Sequence, residues 1–320
     1  MADVAPWLLG SFIIQVASLS LVAASMLNRG LLSVVRRVAL ARGTAQVFSQ
    51  NFSTGPLATS AIIFGAANAL GFGISVATGS HYHLDLIGTG IFSGVAIALC
   101  GTAGAAQQNV SAACIGLWAT KLAGFLFYRA LLTHTDARLN EVLSTNTGAF
   151  GFWFISFAWG WIVSLPHTLA AGVSLNMRPS FSWLDGLGIG LFAVGFLMET
   201  IADWQKWQFK KDPANRSKFC DVGAWRVSQH PNWFGNFLLW SGICVLNMST
   251  LAAVGPVYVL PSLLSPLFLL ALFYGQACGV ISNTVELANA KHGHDPTYQE
   301  YLKRVPIFMP SASSLLRLCS

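Results

Sequence analysis

The chain has 320 residues, of which 54% are hydrophobic and only 9% charged, with a formal net charge of +6 at pH 7 and a mean hydropathy of +0.58. Soluble domains carry about 25% charged residues, and a water-soluble globule cannot hide this much apolar surface. The composition excludes an ordinary soluble enzyme and points into a bilayer, where a spanning helix needs roughly 20 apolar residues.

Residues 1–54 stand apart from the remainder. An apolar run from Trp7 to Leu27 is followed by Arg29, Arg36, Arg37 and Arg42, with Asp3 the sole acid. That pattern reads as a targeting sequence or a signal anchor, leaving residues 55–320 as one membrane domain. Further apolar runs lie near residues 57–78, 84–105, 110–132, 150–175, 183–201, 234–251 and 254–282, which predicts about seven or eight transmembrane helices. These runs are continuous, whereas β-barrel spans alternate over about ten residues. The predicted fold class is therefore all-α, a polytopic membrane helical bundle.

Cys100, Cys114, Cys220, Cys244, Cys278 and Cys319 form neither a CxxC pair nor a metal-ligand spacing, and read as inert thiols. His81, His83 and Asp85 resemble a metal cluster at first sight, but two histidines two apart on a short loop are more often interfacial polar groups. Neither a metal nor a nucleic acid is expected as a partner; the membrane lipid is.

Lys and Arg concentrate on the cytoplasmic side of membrane proteins. Residues 202–233 carry Lys206, Lys210, Lys211, Arg216, Lys218 and Arg226, and the tail carries Lys291, Lys303, Arg304 and Arg317, so both are predicted to face the cytosol. Counting back puts the 133–149 loop, with Asp136, Arg138 and Glu141, on the same side. The arginines of 28–54 then fall opposite, unless the leader is removed or one span is misplaced. The endoplasmic reticulum is the favoured location, and an organelle membrane follows if the N-terminus is a transit peptide.

Charge and aromatic rings concentrate between residues 199 and 236. Glu199, Asp203, Lys206 and Lys210 are spaced by four, three and four, which puts them on one face of a helix leaving the membrane. Arg226 and His230 are four apart, and Pro231 suits the first turn of the next helix, so Ser228 to Asn232 would present free backbone N–H groups there. A helix start flanked by Arg and Lys is suited to a phosphate, and hence to a charged cofactor. Trp204, Trp207, Trp225 and Trp233 either stack on an aromatic base or form an interfacial belt, the commoner use. In the tail, Tyr298 and Tyr301 share one face of a short helix ended by Pro306 and Pro310, and Glu286 precedes them.

Three blocks carry a resemblance: E-x-x-A-D-x-Q-K-x-x-F-K from Glu199 to Lys210, W-R-V-S-Q-H-P-N-W-F-G from Trp225 to Gly235, and Tyr298-x-x-Tyr301 followed by V-P-x-F-x-P. In this order they resemble the steroid 5-alpha-reductase C-terminal domain family, whose relatives by fold include sterol reductases and, more distantly, isoprenylcysteine carboxyl methyltransferases. HLDLIG around Asp85 and the segment from Lys121 to Val142 extend the likeness, so it covers roughly residues 57 to 320.

The resemblance implies a helical bundle whose cytosolic C-terminal loops bind NADPH and whose membrane cavity admits a lipid-like substrate, with reduction of a carbon–carbon double bond. Carried over by position, Lys206, Lys210 and Arg226 become phosphate ligands and His230 and Asn232 hold ribose or amide groups. Tyr298 and Tyr301 close over the dinucleotide, while Trp225 and Gly235 shape the site. Two positions depart from the family pattern: Gln229 stands where an Arg usually precedes His-Pro, and Asn236 where an acid is usual. For the group that protonates or hydrogen-bonds the substrate oxygen, the candidates are Tyr82, Asp85, Tyr128 and Glu199. Two other readings remain: an S-adenosylmethionine-dependent lipid or isoprenylcysteine methyltransferase, and a non-catalytic membrane scaffold on the same fold.

Overall fold

The computed structural model describes residues 51–80, 82–101, 105–133, 143–281 and 284–316. The Trp7 to Leu27 run with its basic sequel, His81, Asp136, Arg138, Glu141, Arg317 and Cys319 lie outside the described residues. Every regular element among the described residues is helical, and one isolated antiparallel bridge joins Phe52 to Val173. In chain order the α-helices are α1 (Gly55–Thr78), α2 (Leu84–Gly88), α3 (Ile91–Ala98), α4 (Ala106–Thr133), α5 (Asn146–Val163), α6 (Leu165–Ala171) and α7 (Trp183–Lys211). They continue with α8 (Pro231–Val254), α9 (Val259–Ser262), α10 (Leu264–Ala277), α11 (Thr284–His292), α12 (Pro296–Arg304) and α13 (Ala312–Leu315).

Five segments among the described residues are long and apolar enough to cross a membrane: α1, α4, α7, α8 and Pro256–Ala277, which contains α9 and α10. A sixth results if α5 and α6, bent by 57°, are one broken span. Pro166 in the first turn of α6 accounts for the bend, since it has no N–H to continue the ladder of α5. These helices expose Ile62 (69%), Leu117, Val194 and Leu267 while burying Ser60, Asn68, Ser111 and Asn247. Large apolar groups outside and small polar ones inside is the distribution expected where lipid is the solvent. The protein is thus an integral membrane protein, all-helical in its described residues.

The 84–105 run differs from its expectation, because it forms two short helices rather than a span. Between them a Cβ at Gly90 would run into the carbonyl oxygen of Leu86, so the chain turns tightly where only glycine fits. The described residues therefore hold five or six spans where the apolar runs predicted seven.

The chain divides into two compact units, one from Ile189–Gly242 with the described residues of Pro266–Ser320, the other from those of Leu9–Gly188 with Ile243–Ser265. In the second unit Phe92 sits edge-on to Phe64, Trp118 and Trp159 at centroid distances of 5.0, 5.2 and 5.1 Å. Gly71 of α1 gives way to the ring of Trp153 on α5, whose Nε1 donates to Ser75 Oγ at 3.1 Å. His83 stacks on the same indole, 5.5 Å between centroids, with its Nε2 3.0 Å from Gly71 O. In the first unit α7 and α8 cross at Gly195 and Gly235, where an added Cβ on either would strike the other helix's backbone. Small residues at the crossing let the two backbones touch, as membrane helices favour.

Candidate functional site

The Gly195–Gly235 contact brings the polar ends of α7 and α8 into register. Asn236 Nδ2 donates to Glu199 Oε1 at 2.8 Å, and four residues along each helix Asn232 Nδ2 donates to Asp203 Oδ1 at 3.0 Å. Both members of the first pair are buried, at 5% and 3% exposure. The departure at Asn236 thus has a local counterpart, for the carboxylate stands on α7 and the amide faces it from α8. After this bond Asn236 Oδ1 remains buried with no donor among the described residues.

The loop after α7 is clamped to it. Gly223 adopts φ +52°, and a side chain there would collide with Gln205, whose Oε1 accepts from Ala224 N at 2.8 Å. The turn Gly223–Arg226 then buries Trp225, whose Nε1 donates to Ala202 O at 2.9 Å. Lys206 Nζ lies 4.3 Å above the Trp225 ring, a cation–π contact. Arg226 is exposed at the turn's end and donates from Nε to Asp221 O at 3.1 Å. Lys210 Nζ donates to Lys218 O, and Lys291 Nζ to Arg216 O at 3.1 Å.

At the start of α8, two of the expected free donors are already engaged. Gln229 N donates to Pro306 O at 2.9 Å and His230 N to Ser228 Oγ at 3.1 Å, while Ser228 Oγ donates to Phe308 O at 2.7 Å. Gln229 Nε2 reaches Leu302 O (3.1 Å) and Val305 O (2.7 Å), satisfying carbonyls at the end of α12 that no helical N–H can reach. The departure at Gln229 is explained by this capping. His230 stacks on Trp233, 4.1 Å between centroids, and Trp233 on Phe273 at 5.8 Å. Burial first, then the Lys206 charge, push the His230 imidazole down to about 3, so near neutral pH it is an uncharged hydrogen-bonding group and not a phosphate cation.

Tyr298 and Tyr301 pack inward around Phe219, each at 5.2 Å from its ring, and Tyr301 Oη donates to Trp225 O at 2.9 Å. Burial pushes both phenols up, so they stay protonated. They hold α12 against the loop rather than standing free at its surface. His292 lies 5.5 Å from the Tyr298 ring and is held below its usual range by burial, then by Lys291 and Lys210. Lys291 and His292 thus share the electrostatic neighbourhood of Lys210, a grouping the sequence left unassigned although both belong to the basic segment before Tyr298.

Of the catalytic candidates, Glu199 belongs to this network, while Tyr82, Asp85 and Tyr128 belong to the other unit, with Tyr82 and Tyr128 exposed. An open apolar cleft of about 260 Å³, lined by Tyr274, Pro306, Ile307, Phe308 and Met309, lies in the same unit as the Asn236–Glu199 pair. Among the described residues no group of three or more His, Cys, Asp or Glu is placed to hold a metal ion.

Fold and site together define a helical integral membrane protein with a carboxylate–amide ladder at the foot of two spans and a cationic loop beside it. The chain belongs to the family described as Protein of unknown function (DUF1295), whose profile matches residues 71–305. No curated protein and no solved structure matches it.

Proposed function

We propose that the protein is an NADPH-dependent reductase of a carbon–carbon double bond in an apolar, lipid-like substrate, of sterol, isoprenoid or enoyl type, in the endoplasmic reticulum membrane with its cationic loops in the cytosol. One observation carries the reading. The three blocks that resemble the steroid 5-alpha-reductase C-terminal family, far apart in sequence, join in one hydrogen-bonded network of one unit through Tyr301 to Trp225, Trp225 to Ala202 and Asn232 to Asp203.

NADPH, when bound, supplies a hydride; the protein's part is to hold the dinucleotide and orient its nicotinamide. Lys206, Lys210, Arg226 and Lys291 are the cations suited to its phosphates. Neutral His230 suits a ribose hydroxyl. The orphaned Asn236 Oδ1 is an acceptor for an N–H donor such as a carboxamide. Glu199, tied to Asn236, is assigned to positioning that amide.

A thermal-shift titration of the detergent-purified full chain with NADPH, NADH and S-adenosylmethionine tests this, since a ligand of the native state raises its stability by mass action, by about 2.7 kcal/mol at a hundredfold excess over Kd. The expected result is stabilisation by NADPH above NADH. A response to S-adenosylmethionine alone would replace the reading with a methyltransferase, and no response to any of them with a scaffold.

A further inference from the structure

The second unit contains a polar cluster that the reductase reading does not use. Gln108 and Ser111 project from α4, His167 from α6 and Asn247 and Thr250 from α8, and all five are at most 1% exposed. Gln108 Nε2 donates to Leu99 O at 2.8 Å and lies 3.2 Å and 3.3 Å from the two ring nitrogens of His167 and 3.4 Å from His167 O, so its second hydrogen goes to His167. His167 Nδ1 is 3.0 Å from Ser111 Oγ. Asn247 Nδ2 spends its two hydrogens on Ser111 Oγ at 2.9 Å and on Ile243 O at 2.8 Å.

Both amide orientations are settled by these bonds. Reversing Gln108 or Asn247 would set an oxygen against the carbonyl of Leu99 or Ile243, exchanging an attraction for a repulsion. With every amide hydrogen committed, Gln108 Oε1 and Asn247 Oδ1 are left buried without a donor among the described residues, and so is Thr250 Oγ1, one turn beyond Asn247 on the same face. The two amides have spent their hydrogens and kept their oxygens, and the Thr250 hydroxyl has no partner among the described residues. In an apolar membrane interior such acceptors are strongly unfavourable unless something brings hydrogens to them.

We propose that this cluster is a recognition site for an O–H donor within the membrane-spanning part of the chain. The shared chemistry is a hydroxyl hydrogen delivered to Gln108 Oε1 or to Asn247 Oδ1, and its source is either the hydroxyl of a lipid alcohol or a bound water. At these amide oxygens a ketone or an ether, having no hydrogen to give, forms no bond. The inference stands on the side chains of this unit and does not rest on the cofactor reading.

Two measurements on the purified full chain test it. Equilibrium binding of tritiated dodecanol is compared with that of its methyl ether, which differs by the loss of the O–H. A lipid-alcohol site should favour the alcohol by about tenfold, the worth of one hydrogen bond, and the Gln108→Leu/Asn247→Leu double variant should erase the preference. Radiolytic hydroxyl-radical footprinting then distinguishes water, because radicals formed from a bound water would oxidise His167 despite its burial. Fast oxidation of wild-type His167 with no alcohol preference would assign the site to water. Equal affinity for alcohol and ether together with an unlabelled His167 would overturn the proposal. If a variant fails to fold, the wild-type comparisons alone still separate these outcomes.

Discussion

Replacing Gly235 by alanine probes the contact on which the whole ladder depends. A Cβ there would stand 2.5 Å from Glu199 N, 2.7 Å from Gly195 O and 3.0 Å from Glu199 Cα, all backbone atoms that no side-chain rotation can withdraw. Ordinary contact distances of about 3.5 Å require the two helices to part by roughly 1 Å, an overpacking strain of about 2–3 kcal/mol. Such a movement stretches Asn236–Glu199 from 2.8 Å and Asn232–Asp203 from 3.0 Å beyond hydrogen-bonding range. Gly235→Ala should therefore melt well below wild type in detergent and lose its response to NADPH. Gly195→Ala should do the same, and because one separation relieves both clashes, the double variant should lose much less than the sum of the singles. Gly190 on the same helix has nothing within 4 Å of its Cβ position, so Gly190→Ala should be neutral or stabilising through helix propensity. A wild-type melting temperature for Gly235→Ala, or strict additivity in the double variant, would refute the crossing as described.

Three further outcomes are expected. His230, depressed to about 3 in the folded state against about 6.5 when unfolded, binds fewer protons folded than unfolded between these values, so stability falls as pH drops below about 6.5, by about 2 kcal/mol at pH 5; denaturant titrations at pH 7 and 5 should show this slope in wild type and a flatter one in His230→Gln. Gln229→Leu leaves the carbonyls of Leu302 and Val305 without their side-chain donor, for a loss of about 1–2 kcal/mol and faster amide exchange across α12; unchanged exchange would remove the capping role. Arg226→Ala and Lys210→Ala should each weaken NADPH binding in a calorimetric titration while the thermal transition of the unliganded protein stays cooperative, and unchanged affinity in both would sink the phosphate assignment.

Much of the protein was legible in its residues because lipid imposes one rule on every span: all backbone groups bonded within the segment and apolar side chains around it. The continuous runs of α1, α4, α7 and α8 follow from that rule, as do an integral membrane protein and its all-helical class. The regular four- and three-residue spacing of Glu199, Asp203, Lys206 and Lys210 likewise marks one helix face by itself. What periodicity does not carry is how residues distant in sequence meet. The 84–105 run is as apolar as its neighbours, yet the close approach of Leu86 O at Gly90 turns it into two short helices.

The same limit applies to the candidate site. Arg226, Lys206 and Lys210 could be named from charge alone, but only packing shows that Tyr301 and Trp225 are joined to each other, that Gln229 caps α12, and that Lys291 and His292 share the surroundings of Lys210. The two departures from the pattern of the resembling steroid 5-alpha-reductase family also changed meaning in three dimensions. Asn236 faces the carboxylate of Glu199, thirty-seven positions away in the chain, because two glycines let their helices touch. The sequence by itself determined the solvent of this protein and the helices that solvent requires; the tertiary structure decided which polar groups became partners, since that depends on backbone separations of tenths of an ångström that no local pattern encodes.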